Sequence, residues 1–214
     1  MNTTSRPVLI YFYDALCGWC FGFSPVINEL KKKYDQLFDF EIYSGGLRVG
    51  NQVGELSVVA PYIKSAYLQV EKTCGVKFGE PFIRKMLNGE SIVLDSMPPA
   101  TALCIVKEVA PAYSFQFASM LHQMIYVEGR STDDVDYMLS HAPYLKFNPA
   151  DFKTMMESKK YQDAAQADFA HAHQFGITGY PAIILSYGAK YYSIAKGYND
   201  FNTVSYNIES VLGK

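Results

Sequence analysis

The spacing of apolar positions changes several times along the chain. Val8-Leu9-Ile10-Tyr11-Phe12-Tyr13 is an unbroken apolar run, the pattern of a strand buried on both faces. From about Gly18 to Tyr34 the spacing becomes helical, with Val26, Ile27, Leu30 and Tyr34 on one side. Lys31, Lys32 and Lys33 fall in its last turn, where cations complement the helix dipole. Phe38 to Tyr43 returns to strand character, and Gly45-Gly46 ends it. Strand, helix and strand in this order predict a parallel pair joined by a right-handed crossover.

Between about residues 52 and 160 the pattern is helical. Pro61 to Val70 predicts one helix, through Tyr62, Ile63, Ala66 and Tyr67. Pro98-Pro99 opens another through Ala102, Leu103, Ile105, Val106 and Val109; proline suits a first helical turn because its missing N–H had no partner there. Phe117, Met120, Leu121, Met124 and Ile125 mark a third, stopped at Gly129. Ser131 or Thr132 is the expected cap of the next, and Asn148-Pro149 starts one more. An Ala-rich helix runs from Tyr161 to Gln174. The pattern then falls back to strands at Ala182 to Ser186 and Tyr191 to Ala195, with a turn over Tyr187-Gly188-Ala189-Lys190. Asn199 or Asp200 caps a final helix with Phe201, Val204, Ile208 and Leu212 on one face.

Composition narrows the function classes. Hydrophobic residues at 49% against 19% charged support a sizeable core and exclude global disorder. Nineteen Lys and Arg against 21 Asp and Glu leave a net charge of −2, which excludes a generic nucleic-acid binder, because that needs a basic face. No apolar run reaches the ~18 residues of a membrane helix. The run Val8–Tyr13 is too short for a secretion signal, and no small-residue cleavage site follows it before Cys17. A cytoplasmic protein with no membrane partner is therefore expected. Seventeen Tyr and 14 Phe point to an aromatic core and an apolar groove.

The chemistry centres on Cys17-Gly18-Trp19-Cys20, which follows a buried strand and opens a helix. At a helix N-terminus, free N–H groups and the dipole stabilise an anion, which favours a thiolate at Cys17. Cys20, one turn on, is close enough to close a disulfide. One thiolate attacks a substrate disulfide, and the other resolves the mixed disulfide. A C-x-x-C is also half of a zinc site. Here Cys74 and Cys104 are single, and His171 and His173 lack a cysteine nearby, so no metal is expected. Cys74 and Cys104 read as small buried hydrophobes, and His122, His141, His171 and His173 as helix residues that need no catalytic role. Pro181, in Gly176-Ile177-Thr178-Gly179-Tyr180-Pro181-Ala182, sits at a strand start, where its missing N–H is tolerated. A cis Tyr180–Pro181 bond and an ordinary trans bond both remain open on this reading. Arg48, after the second strand, could hold a substrate carboxylate or be a solvated loop residue, and Ser96-Met97-Pro98-Pro99 could border the groove.

C-G-W-C after a hydrophobic strand, with G-I-T-G-Y-P-A before a hairpin and a last helix, resembles the thioredoxin superfamily. The helical block between the two halves resembles the DsbA-like branch, an α/β thioredoxin fold with an inserted helical domain. Tyr13-Asp14-Ala15-Leu16 leading into Cys17 is similar to intracellular DsbA-like proteins described as protein-disulfide isomerases. The resemblance implies a thioredoxin-like domain of residues 1–51 and 161–214 around a helical insert of residues 52–160. It implies Cys17 as nucleophile, Cys20 as resolving thiol and Pro181 as a cis-proline facing them. Gly18, Trp19 and Tyr180 would contact substrate, the Tyr180 backbone by pairing with an extended segment. Pro25 matches a helix-kinking proline, unless Ser24-Pro25 simply opens a helix.

Three departures stand out. Tyr11 occupies the position six before Cys17 where thioredoxin and DsbA carry an acid, and Asp14 is read as a turn cap. The dipeptide between the cysteines is Gly-Trp, with no histidine to stabilise the thiolate. Tyr180 is bulkier than the residue usual before the proline and would partly cover the groove. The implied function is thiol–disulfide exchange with protein or small-thiol disulfides, glutathione among them, without metal or organic cofactor. A glutathione-dependent isomerase resembling 2-hydroxychromene-2-carboxylate isomerase and a non-catalytic peptide-binding module are the rival readings.

Overall fold

The computed structural model describes residues 6–88, 90 and 92–213; residues 1–5, 89, 91 and 214 of the expected domain ranges lie outside the described residues. The chain opens with β1 (Val8–Tyr13), α1 (Gly18–Tyr34) and β2 (Asp39–Ser44). Then come β3 (Gly54–Glu55), α2 (Leu56–Cys74), α3 (Glu80–Asn88), β4 (Val93–Leu94), α4 (Met97–Val109), α5 (Ser114–Tyr126), α6 (Val135–Ser140) and α7 (Pro149–Glu157). It closes with α8 (Lys159–Gln174), β5 (Ala182–Tyr187), β6 (Lys190–Lys196) and α9 (Phe201–Leu212). The main sheet has the order β2-β1-β5-β6. Strand β1 runs parallel to β2 and antiparallel to β5, with Tyr11 opposite Ile42 on one side and Ile183 on the other.

Strand alternation divides β1 between two layers. Leu9, Tyr11 and Tyr13 join the large core with α1 and α5, whereas Ile10 and Phe12 pack with Ala172 and Phe175 at the end of α8. This placement puts Tyr11 and Tyr13 on the same side of the sheet as the C-x-x-C helix.

Several boundaries depart from the sequence reading. Pro25 lies inside α1, so Ser24-Pro25 does not open that helix. Helix α2 begins at Leu56 and carries Pro61 within it. The earlier start is fixed by a contact invisible to local pattern: Leu56 is buried and its N–H donates to the Ile92 carbonyl at 2.7 Å, extending the short β3–β4 ladder. Helix α3 was not anticipated; it buries Phe82 and Met86. Neither Ser131 nor Thr132 caps α6. Ser131 turns to the Asp133 carboxylate at 2.5 Å, and Asp134 is the N-cap, accepting from Tyr137 N–H. Asn148 and Asp200 do cap α7 and α9.

A buried carboxylate ties the helical block to the sheet. Asp168 on α8 accepts from Lys107 Nζ of α4 at 2.8 and 2.9 Å and from the Ser44 N–H of β2 at 3.2 Å. Burial pushes its carboxyl pKa up, and Lys107 pulls it back. Asp168→Ala should therefore cost about 2–3 kcal/mol, because it strands a buried N–H and unpairs an ammonium that keeps some solvent. Lys153→Ala, which breaks an exposed bridge to Asp136, should cost under about 0.5 kcal/mol. Urea denaturation of the two variants checks this, and equal losses would contradict it.

Candidate active site

The site is assembled where β1 hands over to α1. The turn after Tyr13 is closed by Cys17 N–H donating to the Asp14 carbonyl at 3.0 Å. Cys17 is the N-cap of α1: its sulfur accepts from the Cys20 N–H at 3.2 Å, as a helix N-terminus requires of its cap. The same sulfur donates to the Tyr180 carbonyl at 3.4 Å. Both thiols are free. Cys17 keeps 7% of its surface and borders a cavity, whereas Cys20 keeps none. Burial, then the neighbouring Cys17, push the Cys20 thiol well above the ordinary range.

Across from Cys17 the Tyr180–Pro181 bond is cis, so of the two isomers left open the structure contains that one. The Tyr180 ring lies over Gly45, and its hydroxyl donates to the Gly45 carbonyl at 2.8 Å. A Cβ on Gly45 would fall 2.1 Å from that ring, so the close approach requires glycine. The bulky residue before Pro181 is thereby folded against the loop after β2, where it forms one wall of the cavity.

Asp14 does more than cap its turn. It is 1% exposed. Its carboxylate accepts from Leu16 N–H at 2.9 Å, Leu47 N–H at 2.8 Å and the Ser96 hydroxyl at 3.0 Å. Burial raises its pKa, and these bonds oppose the rise. His122 on α5, to which the sequence alone assigns no catalytic role, is buried against the same turn. Its Nε2 lies 3.2 Å from the Asp14 carbonyl and its Nδ1 2.9 Å from Ser24 Oγ. Burial lowers its pKa to about 4, so the ring is neutral. A carbonyl only accepts, so Nε2 carries the proton and Nδ1 is the acceptor facing the Ser24 hydroxyl, whose single proton is shared with the Cys20 carbonyl at 3.2 Å. The missed signal was the i, i+4 row Ala118, His122, Tyr126 on one buried helix face.

The cavity holds about 510 Å³ and brings together Cys17, Gly18, Trp19, Arg48 and Tyr180. Cys20 lies beneath it, and Pro181 follows Tyr180 in the chain. Its outer wall comes from α2, chiefly Tyr62, Ile63 and Tyr67, residues read from the sequence only as a helix face. Ser96 does not border this groove, and Met97 and Pro98 face a different cavity beside Asp95. Cys74 and Cys104 are apart from this chemistry, and burial pushes their thiols up to about 11 and about 12. Among the described residues no helix is long and apolar enough to cross a membrane, and no three His, Cys, Asp or Glu side chains gather into a metal-binding group.

A family model for the DSBA-like thioredoxin domain matches residues 8–209. The fold is similar to that of a candidate protein disulfide isomerase from Nitrosomonas europaea, with a TM-score of 0.84, 24% identity and 98% of each chain covered. It is also similar to the cytosolic disulfide reductase DsbM from Pseudomonas aeruginosa, with a TM-score of 0.78, 20% identity, and 96% of this chain and 98% of that one covered. A structure of that reductase with GSH gives a TM-score of 0.77 and 19% identity over 97% of this chain and 100% of the other. At these identities the likeness is one of fold. Among curated proteins, the ClpXP adapter protein SpxH of Halalkalibacterium halodurans is 20% identical over 84% of this chain, which spans 58% of that relative's length.

Neutral His122 carries a testable consequence. Its folded pKa, about 4, lies below its ordinary 6.5, so on acidification the unfolded chain takes up the proton first. Stability from this group is complete above about pH 6.5 and is lost as pH falls towards 4, by about 3 kcal/mol. Asp14, with a raised pKa, titrates in the opposite sense, so the measurement is a difference. The stability of the protein minus that of His122→Gln should shrink by this amount between pH 7 and 4. A difference independent of pH would contradict the neutral assignment.

Proposed function

Because the chain belongs to the family of DSBA-like thioredoxin domains, we propose that it is a thiol–disulfide oxidoreductase that reduces or isomerises disulfides through Cys17 and Cys20. The observation that carries this reading is the inequality of two free thiols one turn apart. Cys17 borders the cavity and accepts a backbone N–H, while Cys20 is sealed beneath and held as a thiol. Such an arrangement suits an attacking sulfur and a resolving sulfur. The Cys17 thiolate attacks one sulfur of a substrate disulfide, forms a mixed disulfide and releases the other sulfur as a thiolate. Cys20 then displaces the remaining substrate sulfur and closes the Cys17–Cys20 disulfide. The substrate gains two electrons, the protein loses two, and no metal or organic cofactor takes part.

Ionisation of Cys17 removes its donated bond to the Tyr180 carbonyl. That oxygen then becomes free to accept from a substrate backbone in the manner of an added strand. Gly18 and Trp19 contact substrate along the cavity edge, and Pro181 fixes the strand start behind it. We take residues 1–51 and 161–214 as the thioredoxin-like part and 52–160 as the helical insert that supplies the opposite wall. A reductase or isomerase resting as the dithiol suits a cytoplasmic setting, as with the DsbM neighbour described as cytosolic.

Arg48 borders the same cavity, with its guanidinium 3.5 Å from the Gln52 carbonyl. Aromatic walls and a guanidinium fit a small disulfide that carries a carboxylate, and the neighbour solved with GSH supports glutathione as a candidate. The glutathione-dependent isomerase reading draws on the same observation. It predicts activity that survives loss of Cys17, whereas the oxidoreductase reading does not.

Two expected outcomes follow for the cysteines and for Arg48. Cys17→Ser should abolish insulin reduction, and Cys20→Ser should accumulate substrate adducts on Cys17 that gels run without reductant reveal. Adducts on Cys20 in the Cys17→Ser protein, or full activity in both variants, would contradict the reading and favour a peptide-binding module. Arg48→Ala should raise KM for glutathione disulfide roughly three- to tenfold and leave KM for the uncharged bis-hydroxyethyl disulfide nearly unchanged. Equal effects on both substrates would remove Arg48 from carboxylate recognition.

A further inference from the structure

Tyr11 has a hydroxyl that the exchange described above leaves unused. The residue is 2% exposed, and among the described residues its hydroxyl forms no hydrogen bond of good geometry, although the Cys20 thiol lies close enough to interact with it. Folded proteins seldom leave such a group without a partner in every state they visit. Strand alternation aims it at the layer of α1, where its ring packs against Tyr13, Phe23 and Phe115. The ionisable group that acts on it most strongly is Cys20, followed by Cys17 and Tyr13.

Cys20 has the complementary problem. Sealed from water, its sulfur can be stabilised as an anion only by protein donors. The groups that face the pair are Cys17 and Asp14 from the turn after β1, Tyr13 from β1, Tyr126 from α5 and Tyr180 from the loop before β5. Negative charge on Asp14 opposes the Cys20 anion, the Tyr180 hydroxyl is committed to Gly45, and the Asp14 backbone supplies one donor. A further donor within this enclosure is the hydroxyl of Tyr11.

We propose that Tyr11 is a catalytic residue of the resolving step, whose hydroxyl donates a hydrogen bond to the Cys20 sulfur when that sulfur is a thiolate. In the mixed disulfide, the Cys20 sulfur attacks the Cys17 sulfur as it loses its proton, the bond between Cys17 and the substrate sulfur breaks, and the proton lost by Cys20 balances the charge of the departing substrate thiolate. Tyr11 keeps its proton throughout and lowers the cost of the buried anion. In the dithiol state its hydroxyl has no well-formed bond, and the Cys20 thiolate of the resolving step is the acceptor that completes it.

This assignment rests on the oxidoreductase reading, and stopped-flow mixing of the reduced protein with one equivalent of Ellman's reagent separates the two. Thionitrobenzoate is released once as Cys17 forms the mixed disulfide and again as Cys20 resolves it. For Tyr11→Phe the first release should be unchanged. The second should slow roughly tenfold at neutral pH, with the midpoint of its pH profile raised by about one unit. Thermal stability should hold or rise, because the deleted hydroxyl had no well-formed bond. Tyr13→Phe, which removes a neighbouring unpartnered hydroxyl, should leave both phases as they are. An unmoved second phase, an equal slowing of both phases, or the same effect from Tyr13→Phe would overturn the assignment of Tyr11. Absence of the first release in the unmodified protein would instead overturn the oxidoreductase reading.

Discussion

The Asp14 carboxylate bonds Leu16 of its own turn, Leu47 of the loop after β2, and Ser96 before α4, while its backbone carbonyl takes Cys17 and His122. A carboxyl group without water pays a large desolvation cost, which only dense hydrogen bonding offsets. The segments that supply those bonds therefore have to meet around it, and where they meet is the mouth of the cavity. The cap position of Cys17, the placement of Arg48 and the seat of Tyr180 on Gly45 all follow from that convergence. The expected acid six residues before Cys17 is absent, but a buried acid three residues before it organises the turn.

From this frame comes the inequality of the two thiols. Cys17 sits on the first turn of α1, where backbone donors are unspent, and it opens to the cavity. Cys20, three residues on, points inward to the layer of Tyr11 and Tyr13. One helix turn thus converts two chemically identical side chains into an accessible sulfur and a sealed one. The burial that keeps Cys20 a thiol makes its later ionisation the costly moment of a cycle, and the surrounding aromatic shell limits which groups can relieve it.

The helical block supplies shape to this chemistry. Helix α2 covers the cysteines with Tyr62, Ile63 and Tyr67, yet Tyr62 remains 69% exposed and Val58 76% exposed. This helix buries few of its own residues, Leu56, Ala60 and Val70 among them, so the wall it forms is apolar towards the cavity and mixed towards solvent, where Lys64, Ser65 and Gln69 are exposed. Away from the cavity lining, the Asp168–Lys107 pair joins α4 to α8, and Asp168 also takes the Ser44 N–H of β2.

Local chemistry along the sequence determined the elements that frame the site. β1 and α1 were legible because an apolar run and a helical period need no distant partner, and the hairpin of β5 and β6 because its turn is written in adjacent residues. The C-G-W-C pair and its place at a helix start were legible for the same reason. Only the tertiary structure could decide which groups those residues meet. His122 joins Ser24 across 98 positions, Asp14 joins Ser96 across 82, and Cys17 joins Tyr180 across 163. The early start of α2 and the cap of α6 likewise depended on Ile92 and on competition among Ser131, Asp133 and Asp134. Periodicity reports which face of an element is buried, but a buried hydrogen bond is chosen by whatever donor the packed chain brings within about 3 Å, and that choice is made in space.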